Sequence, residues 1–326
     1  MVYRDFGNNE KLSAIGLGCM SMSHAYGVPD DEESIATLNY ALDLGINFWD
    51  TADFYGNGAN EELIAKALAS NRNKVFIATK FGFKTAEDGG TIFNGSPAYM
   101  RTAVEASLRR LNTDVIDLYY AHRIDPNVPV EEMVGAMAEL VKEGKVRYLG
   151  LSEASPNSIR RAHAVHPIAA LQSEYSLLSR DVERELLPLC KALGISFIPF
   201  SPLARGLMTN TLKPAELRDG DFRKALPRYQ KEHEENNLGL AQAFADLALQ
   251  IGCSPAQLAI AWLLAQGENI IPIPGTKKRD KLRDNAGSVS VSLSRDNLLA
   301  IEDLLSKYPD TGDRYNEANL KWVDKN

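Results

Sequence analysis

Four polar residues at the ends of consecutive apolar runs are the residues of this sequence best suited to chemistry. Asp50 closes the run that begins at Gly45, and Tyr55 lies on the polar stretch that follows. Lys80 closes the next run, and His122 follows the one after that. In a parallel α/β protein, the carboxyl ends of neighbouring strands face one space. A nearby ammonium lowers the pKa of a phenol and a carboxylate holds that ammonium, so Tyr55 could protonate a carbonyl oxygen.

Each of these residues also has an ordinary structural explanation. An Asp commonly caps a helix, and a Tyr commonly packs in a core. Lys80 could extend its ammonium to solvent, and a lone His such as His122 is more often a hydrogen-bonded rim residue than a functional one. The four together at consecutive strand ends favour a catalytic site over four separate structural roles.

Short apolar runs alternate with amphipathic helical patterns along most of the chain. Eight such runs are predicted as strands: 14–17, 48–50, 74–80, 115–121, 146–151, 169–172, 194–199 and 269–272. This alternation is typical of βαβ units with parallel strands, and eight strands favour a closed (β/α)8 TIM barrel over an open sheet. One alternative is that the first run belongs to an N-terminal hairpin, in which case the eighth barrel strand lies elsewhere.

The sequence shows no linker or change of composition, so we expect residues 1–326 to form a single domain. Two polar insertions, Phe81–Ser96 and Leu207–Asn237, are long enough to line or cover a site as active-site loops.

Composition excludes several classes of function. The net charge of −7 gives no reason to expect nucleic acid or an anionic membrane as a partner. The amino terminus has no apolar signal region and no apolar run is long enough to span a bilayer, so we expect a cytoplasmic protein. The cysteines Cys19, Cys190 and Cys253 are widely spaced, which argues against a disulfide framework or a metal site.

Several motifs of this sequence resemble those of the aldo-keto reductase family. The match extends from about Leu12 to Asn285 and is most similar to the bacterial and plant branch that includes perakine-reductase-like and auxin-induced proteins. The matching stretches are Leu17–Met20, Phe48–Gly56, Ala78–Lys80, Leu118–Arg123, Gly150–Ser155, Pro199–Leu207 and Ile273–Lys277.

The resemblance implies a (β/α)8 barrel with an N-terminal hairpin as its floor, NADPH or NADP+ as cofactor, and a small-molecule carbonyl substrate. It implies a catalytic tetrad of Asp50, Tyr55, Lys80 and His122. Tyr55 would be the general acid, Asp50 and Lys80 would tune its pKa, and His122 would orient the carbonyl that receives the hydride.

The resemblance also implies a set of cofactor contacts. Ser152 and Gln172 would hold the carboxamide and Phe200 would stack on the nicotinamide, whereas Glu153 departs from the family's usual residue at its position. Cys19 and Met20 would line the cofactor site, and Asp50 would also contact the cofactor. The pyrophosphate would be held by Ser201, Pro202, Leu203 and Arg205. The adenosine end would be held by Gly275, Thr276, Lys277, Lys281, Asp284 and Asn285, of which Thr276, Lys277 and Lys281 suit a 2′-phosphate.

Three other interpretations have less support. The Gly16–Ser21 stretch lacks the third glycine of a Rossmann fingerprint. A barrel lyase could use Lys80 as a Schiff base with Tyr55 as acid, and a cofactor-sensing subunit could share the barrel. The sequence leaves open the physiological substrate, the oligomeric state, and how strictly NADPH is preferred over NADH.

Overall fold

The structure, a computed structural model, describes residues 1–7, 10–23, 25–86 and 90–325. The strands within these residues are β1 (Tyr3–Phe6), β2 (Glu10–Ser13), β3 (Leu17–Gly18), β4 (Phe48–Asp50), β5 (Phe76–Phe81), β6 (Phe83–Thr85), β7 (Thr91–Phe93), β8 (Ile116–Ala121), β9 (Val146–Ser152), β10 (Ile168–Glu174) and β11 (Ser196–Phe200).

The helices alternate with the strands from β3 onward. They are α1 (Asp31–Asp43), α2 (Ala59–Leu68), α3 (Pro97–Leu111), α4 (Val130–Lys142), α5 (Pro156–Val165), α6 (Leu186–Leu193), α7 (Lys231–Ile251), α8 (Pro255–Leu264), α9 (Arg279–Gly287), α10 (Arg295–Ser306) and α11 (Glu317–Leu320). Side-chain caps start several of them: Ser96, Ser155 and Ser254 each accept a hydrogen bond from a backbone N–H of the first turn and precede a proline.

A parallel sheet runs in the order β3, β4, β5, β8, β9, β10, β11 through the described residues. The segment 269–275 closes it into a barrel. Phe197 N donates to Asn269 O and Ile271 N donates to Phe197 O on one side, while Gly16 N donates to Pro272 O on the other. Pro272 and Pro274 lack an N–H, so this eighth strand forms only isolated bridges to its neighbours. The predicted (β/α)8 barrel is confirmed.

The amino terminus combines the two roles that the sequence left as alternatives. The antiparallel hairpin of β1 and β2 ends at Ser13, and the chain then supplies the first barrel strand at Leu17. Phe6 packs edge-on against Phe76 with ring centroids 5.1 Å apart, and Leu12 is buried in the same cluster. The hairpin therefore forms the floor of the barrel, opposite the carboxyl ends of the strands.

The two predicted insertions have local structure of their own. Phe81–Ser96 contains the antiparallel pair β6 and β7, with Gly89 of its loop lying outside the described residues. Leu207–Asn237 contains short 3-10 turns, and α7 begins within it at Lys231. Before α6, a 3-10 turn covers Asp181–Glu183, and Arg184 and Glu185 separate the two.

Candidate active site

The strands point alternate side chains into the barrel, which places polar residues in a layer above an apolar one. Phe48, Ala78 and Leu118 belong to one buried interior cluster. Two residues further along their strands come Asp50, Lys80 and Tyr120. Because a strand repeats every two residues, the same pleat that fills the barrel with apolar groups brings Asp50 and Lys80 to its carboxyl end.

Asp50, Lys80 and Tyr55 form one hydrogen-bonded group at this end. Lys80 is fully buried, and its Nζ lies 2.5 Å from Asp50 Oδ1. The ammonium also donates to Thr51 O at 2.7 Å and lies 3.4 Å from the hydroxyl oxygen of Tyr55. Gln172 Nε2 donates to the other Asp50 oxygen at 2.8 Å. Each proton of the ammonium therefore has an acceptor, and the charge is held beside the phenol.

Burial and charge act in opposite directions on the pKa values of this group. Burial raises the pKa of Tyr55, and the Lys80 ammonium only partly offsets that effect. From the sequence only the lowering of the Tyr55 pKa by Lys80 could be expected, because burial is determined by the fold. Burial disfavours charge on Lys80, but the Asp50 carboxylate and Tyr55 raise its pKa overall. At neutral pH the phenol therefore keeps its proton and the amine stays charged.

His122 completes the predicted tetrad. Its ring lies edge-on to Tyr55, with centroids 6.0 Å apart. Burial lowers the pKa of His122 well below its ordinary value, and the neighbouring cations Lys80 and Arg123 lower it further. The imidazole is thus neutral at pH 7. All four side chains predicted from consecutive strand ends are adjacent in the structure.

Aromatic side chains from distant parts of the chain form a wall beside the tetrad. Phe83 of β6 packs edge-on against His122 at a centroid distance of 4.8 Å, and its ring lies tilted against that of Phe54 at 5.6 Å. Trp322, near the carboxyl terminus, meets Phe83 at 5.4 Å. The insertion after β5 and the carboxyl-terminal segment therefore both border the site, as the length of the insertion suggested.

The residues predicted to hold the carboxamide and the nicotinamide ring lie at the ends of β9, β10 and β11. Ser152 accepts a hydrogen bond from Arg123, and Gln172 is engaged with Asp50. Phe200 is partly buried at the end of β11. Glu153, which departs from the family pattern, binds Arg314 through both of its oxygens at 2.9 and 2.7 Å. Its carboxylate therefore anchors the carboxyl-terminal segment.

The loop predicted at the pyrophosphate has an unusual backbone. Ser201, Ala204, Arg205 and Gly206 all have positive φ, a conformation that L-residues seldom adopt. Such turns arrange backbone N–H groups into concave sets that bind anions. The Arg205 guanidinium itself is buried in an ion pair with Glu174 at 2.7 Å and donates to Tyr26 Oη at 3.2 Å. The Arg205 side chain is thus engaged within the protein, and Ala204 N and Gly206 N donate within the loop to Ser201 O and Leu203 O. The other backbone N–H groups of the loop would be the donors for a phosphate.

The residues predicted at the adenosine end lie between β3 and α9. Gly275 pairs with Gly18 of β3, where an added Cβ on Gly18 would lie 2.9 Å from Ile273 O, so the closing strand requires glycine there. Lys277 donates to the carbonyl oxygens of Tyr26 and Val28 at 2.9 and 2.5 Å. Three other predicted contacts differ in exposure: Thr276 and Asn285 are buried, and Lys281 is exposed.

Cys19 and Met20, both predicted to line the cofactor site, differ in their exposure. Cys19 is fully buried and its thiol lies 3.5 Å from Leu17 O, while Met20 is partly exposed. Burial, together with the Asp50 charge, raises the pKa of the Cys19 thiol, so it is not a nucleophile at neutral pH. Elsewhere in the described chain, no three His, Cys, Asp or Glu side chains are grouped as they would be around a metal ion.

Arg123, Glu174 and Arg314 are residues of this region to which sequence reasoning assigned no role. Arg123 had a usable signal, because it directly follows His122 within a matching motif. Glu174 and Arg314 had none, since their partners Arg205 and Glu153 are remote in sequence and only the fold brings them together.

Comparison with known proteins agrees with this geometry. The profile of the aldo/keto reductase family matches residues 14–306. A curated relative from Glycine max, described as probable aldo-keto reductase 1, is 45% identical over 307 residues, covering 94% of this chain and 89% of the relative. The chain belongs to the aldo/keto reductase family. It is therefore an oxidoreductase of a family that uses a nicotinamide cofactor.

Solved structures of other members share the fold. A glycerol dehydrogenase from Gluconobacter oxydans superposes with a TM-score of 0.86 at 31% identity, covering 94% of this chain and 95% of that one. An aldo/keto reductase from Klebsiella pneumoniae, solved in complex with NADP and acetate, superposes with a TM-score of 0.73 at 28% identity, covering 95% and 97%.

In the described chain no single helix has the length and apolarity needed to cross a membrane; α7 and α8 meet that requirement only as a pair, bent by 79° at their junction.

Proposed function

We propose that this protein is an NADPH-dependent reductase that converts aldehydes and ketones to alcohols, with Tyr55 as the general acid. The observation that carries the proposal is the Tyr55 hydroxyl 3.4 Å from a buried ammonium that Asp50 fixes from the other side. A phenol that is protonated at neutral pH and stabilised by a cation when it loses its proton is suited to protonating a developing alkoxide.

The residues of the site divide the work of this reaction. NADPH, when bound, supplies the hydride. Tyr55 delivers its proton to the carbonyl oxygen, and Lys80 stabilises the phenolate that remains. The neutral imidazole of His122, edge-on to Tyr55, donates a hydrogen bond to the same oxygen and so orients the carbonyl. The aromatic wall of Phe54, Phe83 and Trp322 excludes water from the side of the tetrad that it borders.

The residues predicted for the cofactor would hold it along the strand ends. Ser152, with Gln172, would meet the carboxamide, and Phe200 would offer its ring face to the nicotinamide. The backbone of Ser201–Gly206 would hold the pyrophosphate. At the adenosine end Lys277 would exchange its two carbonyl partners for the 2′-phosphate, since a phosphate binds an ammonium more strongly than neutral oxygens do.

The Schiff-base alternative fits the site poorly. A lysine that attacks a carbonyl must be neutral and reachable. Lys80 is fully buried, and its ammonium donates hydrogen bonds to Asp50, Thr51 O and Tyr55. Its pKa is raised by Asp50 and Tyr55 despite the opposing effect of burial. Borohydride should therefore trap no substrate on the protein in the absence of cofactor.

A panel of carbonyl compounds tests the proposal directly. We expect purified protein to oxidise NADPH in the presence of aromatic and aliphatic aldehydes, more slowly with ketones, and to show a lower kcat/KM with NADH. No oxidation of either cofactor across the whole panel would rule out the proposed activity.

Cofactor choice has its own test. One or two charge-assisted hydrogen bonds to the 2′-phosphate would favour NADPH by about ten- to a thousandfold. The double change Lys277→Ala, Lys281→Ala should therefore raise Kd for NADPH and barely alter that for NADH. Fluorescence titration of both cofactors measures this, and an unchanged Kd for NADPH would move the phosphate site elsewhere.

A further inference from the structure

Arg123 is a buried cation beside the tetrad that the reaction above does not use. It directly follows His122 at the end of β8 and is 9% exposed. Its Nη1 donates to His122 O at 2.6 Å and to Ser152 Oγ at 3.2 Å, and its guanidinium lies 5.4 Å from the centre of the Phe83 ring. Its Nε is buried and has no hydrogen-bond partner within the part of the chain that the structure describes.

The other buried cations at this end of the barrel are each paired with a carboxylate. Lys80 has Asp50, Arg314 has Glu153, and Arg205 shares Glu174 with Arg228. Arg123 has no carboxylate within 4.0 Å in the described residues, and its hydrogen-bond acceptors there are neutral oxygens.

A buried guanidinium that pairs directly with no carboxylate is only partly compensated for its cost of desolvation, since Glu153 acts on Arg123 from beyond 4.0 Å. An anion that enters the site would relieve that cost and would also bind in a region of low dielectric, where charge–charge attraction is strong. Arg123 is therefore a place where a ligand charge is stabilised more than it would be on the surface.

The position of Arg123 indicates which ligand brings that anion. Phe83 contacts both the His122 ring and the guanidinium, so the cation borders the wall next to which the reacting carbonyl would lie. The charge of Arg123 also acts on the tetrad. Burial is the largest effect that lowers the pKa of His122, and the charges of Lys80 and Arg123 lower it further.

We propose that Arg123 binds a carboxylate of the substrate, so that the enzyme prefers oxo acids, in which a carboxylate lies a few bonds from the aldehyde or ketone, over neutral carbonyl compounds. This inference rests on the proposed function. The product is the hydroxy acid, formed by the same hydride and proton transfer, and the carboxylate itself is unchanged.

Matched pairs of acid and ester test the inference, because esterification removes the charge and leaves the carbonyl in place. We suggest 4-oxobutanoate with its methyl ester, and 4-carboxybenzaldehyde with its methyl ester. The measured quantity is the ratio of kcat/KM for acid to that for ester. One charge-assisted pair predicts a ratio of about ten to a hundred in the unmodified enzyme, decreasing as salt is raised.

The variants Arg123→Met and Arg123→Lys then test whether the cation at position 123 is the source of the preference for the acid. The ratio should fall to about one in the Met variant and keep part of its value in the Lys variant. Any general damage from the lost bonds to His122 O and Ser152 affects acid and ester alike and cancels in the ratio. If the Met variant does not fold, the ratio in the unmodified enzyme and in the Lys variant still decides the matter.

Each result points to one conclusion. A ratio near one in the unmodified enzyme, or an equal ratio in all three proteins, overturns the role of Arg123 in substrate choice. A raised Kd for NADPH with an unchanged ratio in Arg123→Met would assign the residue to the cofactor and also overturn the inference. Turnover of the esters alone overturns the inference and leaves the proposed reductase activity intact. No turnover of any of the four compounds overturns the inference as well, and the proposed activity fails with it only if the whole carbonyl panel is inert.

Discussion

The Lys80–Asp50 ion pair has a structural role and a chemical role, which two variants can separate. One variant removes the cation alone, and the other also removes the charge of Asp50. Lys80→Met keeps much of the side-chain volume but leaves the Asp50 carboxylate, 3% exposed, without its counter-ion, and Thr51 O without its donor. Removing one partner of a buried ion pair costs about 3–5 kcal/mol. The double variant Lys80→Met, Asp50→Asn removes the charge as well and should cost only about 1–3 kcal/mol for unpaired polar groups.

Calorimetry of the unmodified protein, Lys80→Met and the double variant measures the difference in stability. At roughly 2 °C per kcal/mol for a chain of this size, Tm should fall by about 6–10 °C in Lys80→Met and recover by several degrees in the double variant. Activity should behave differently: kcat should drop by at least about a hundredfold in both, because neither has a cation beside Tyr55.

Two outcomes would contradict the roles assigned to Lys80. An unchanged Tm in Lys80→Met would show that the pair is not the buried, mutually dependent contact described above. A double variant that regains turnover along with stability would show that Lys80 supports the fold and leaves the chemistry to other groups.

Two further predictions concern residues around the site. Burial, and then the charge of Glu61, raise the pKa of Asp53 to about 8. The folded protein therefore holds a proton that the unfolded chain has lost, and its stability declines as pH rises from about 4 to 8. Relative to the unmodified protein, Asp53→Asn should become more stable over this range, by at most about 6 kcal/mol. Equal differences in Tm at pH 5 and pH 8.5 would contradict this. Glu153→Gln leaves Arg314 buried without its anion, so amide hydrogen exchange over residues 313–325, which include Trp322, should accelerate; unchanged exchange would mean that the pair does not anchor the segment.

The barrel and the tetrad could be predicted because their signals are local. Short apolar runs separated by amphipathic helices define the strands, and Asp50, Lys80 and His122 lie at or next to the ends of three of them. Parallel strands share one polarity, so strand order alone brings these residues together.

Long-range pairing of charges could not be predicted in the same way. The acceptors of Lys277 are main-chain oxygens of a distant loop, at Tyr26 and Val28, which carry no sequence signal. Glu153 and Arg314 are separated by 161 positions, so the anchoring of the carboxyl-terminal segment depends on how the whole barrel closes. The direction of the Tyr55 pKa likewise depends on burial, which the fold alone determines.

The variant Tyr55→Phe lacks the hydroxyl that we propose supplies the proton for carbonyl reduction. The substitution removes one hydroxyl and keeps the ring that packs against His122. We expect kcat for aldehyde reduction to fall by about a hundred- to ten-thousandfold, while Kd for NADPH, measured by fluorescence in the same preparation, stays within about twofold. Near-normal turnover by Tyr55→Phe with NADPH bound would contradict the account.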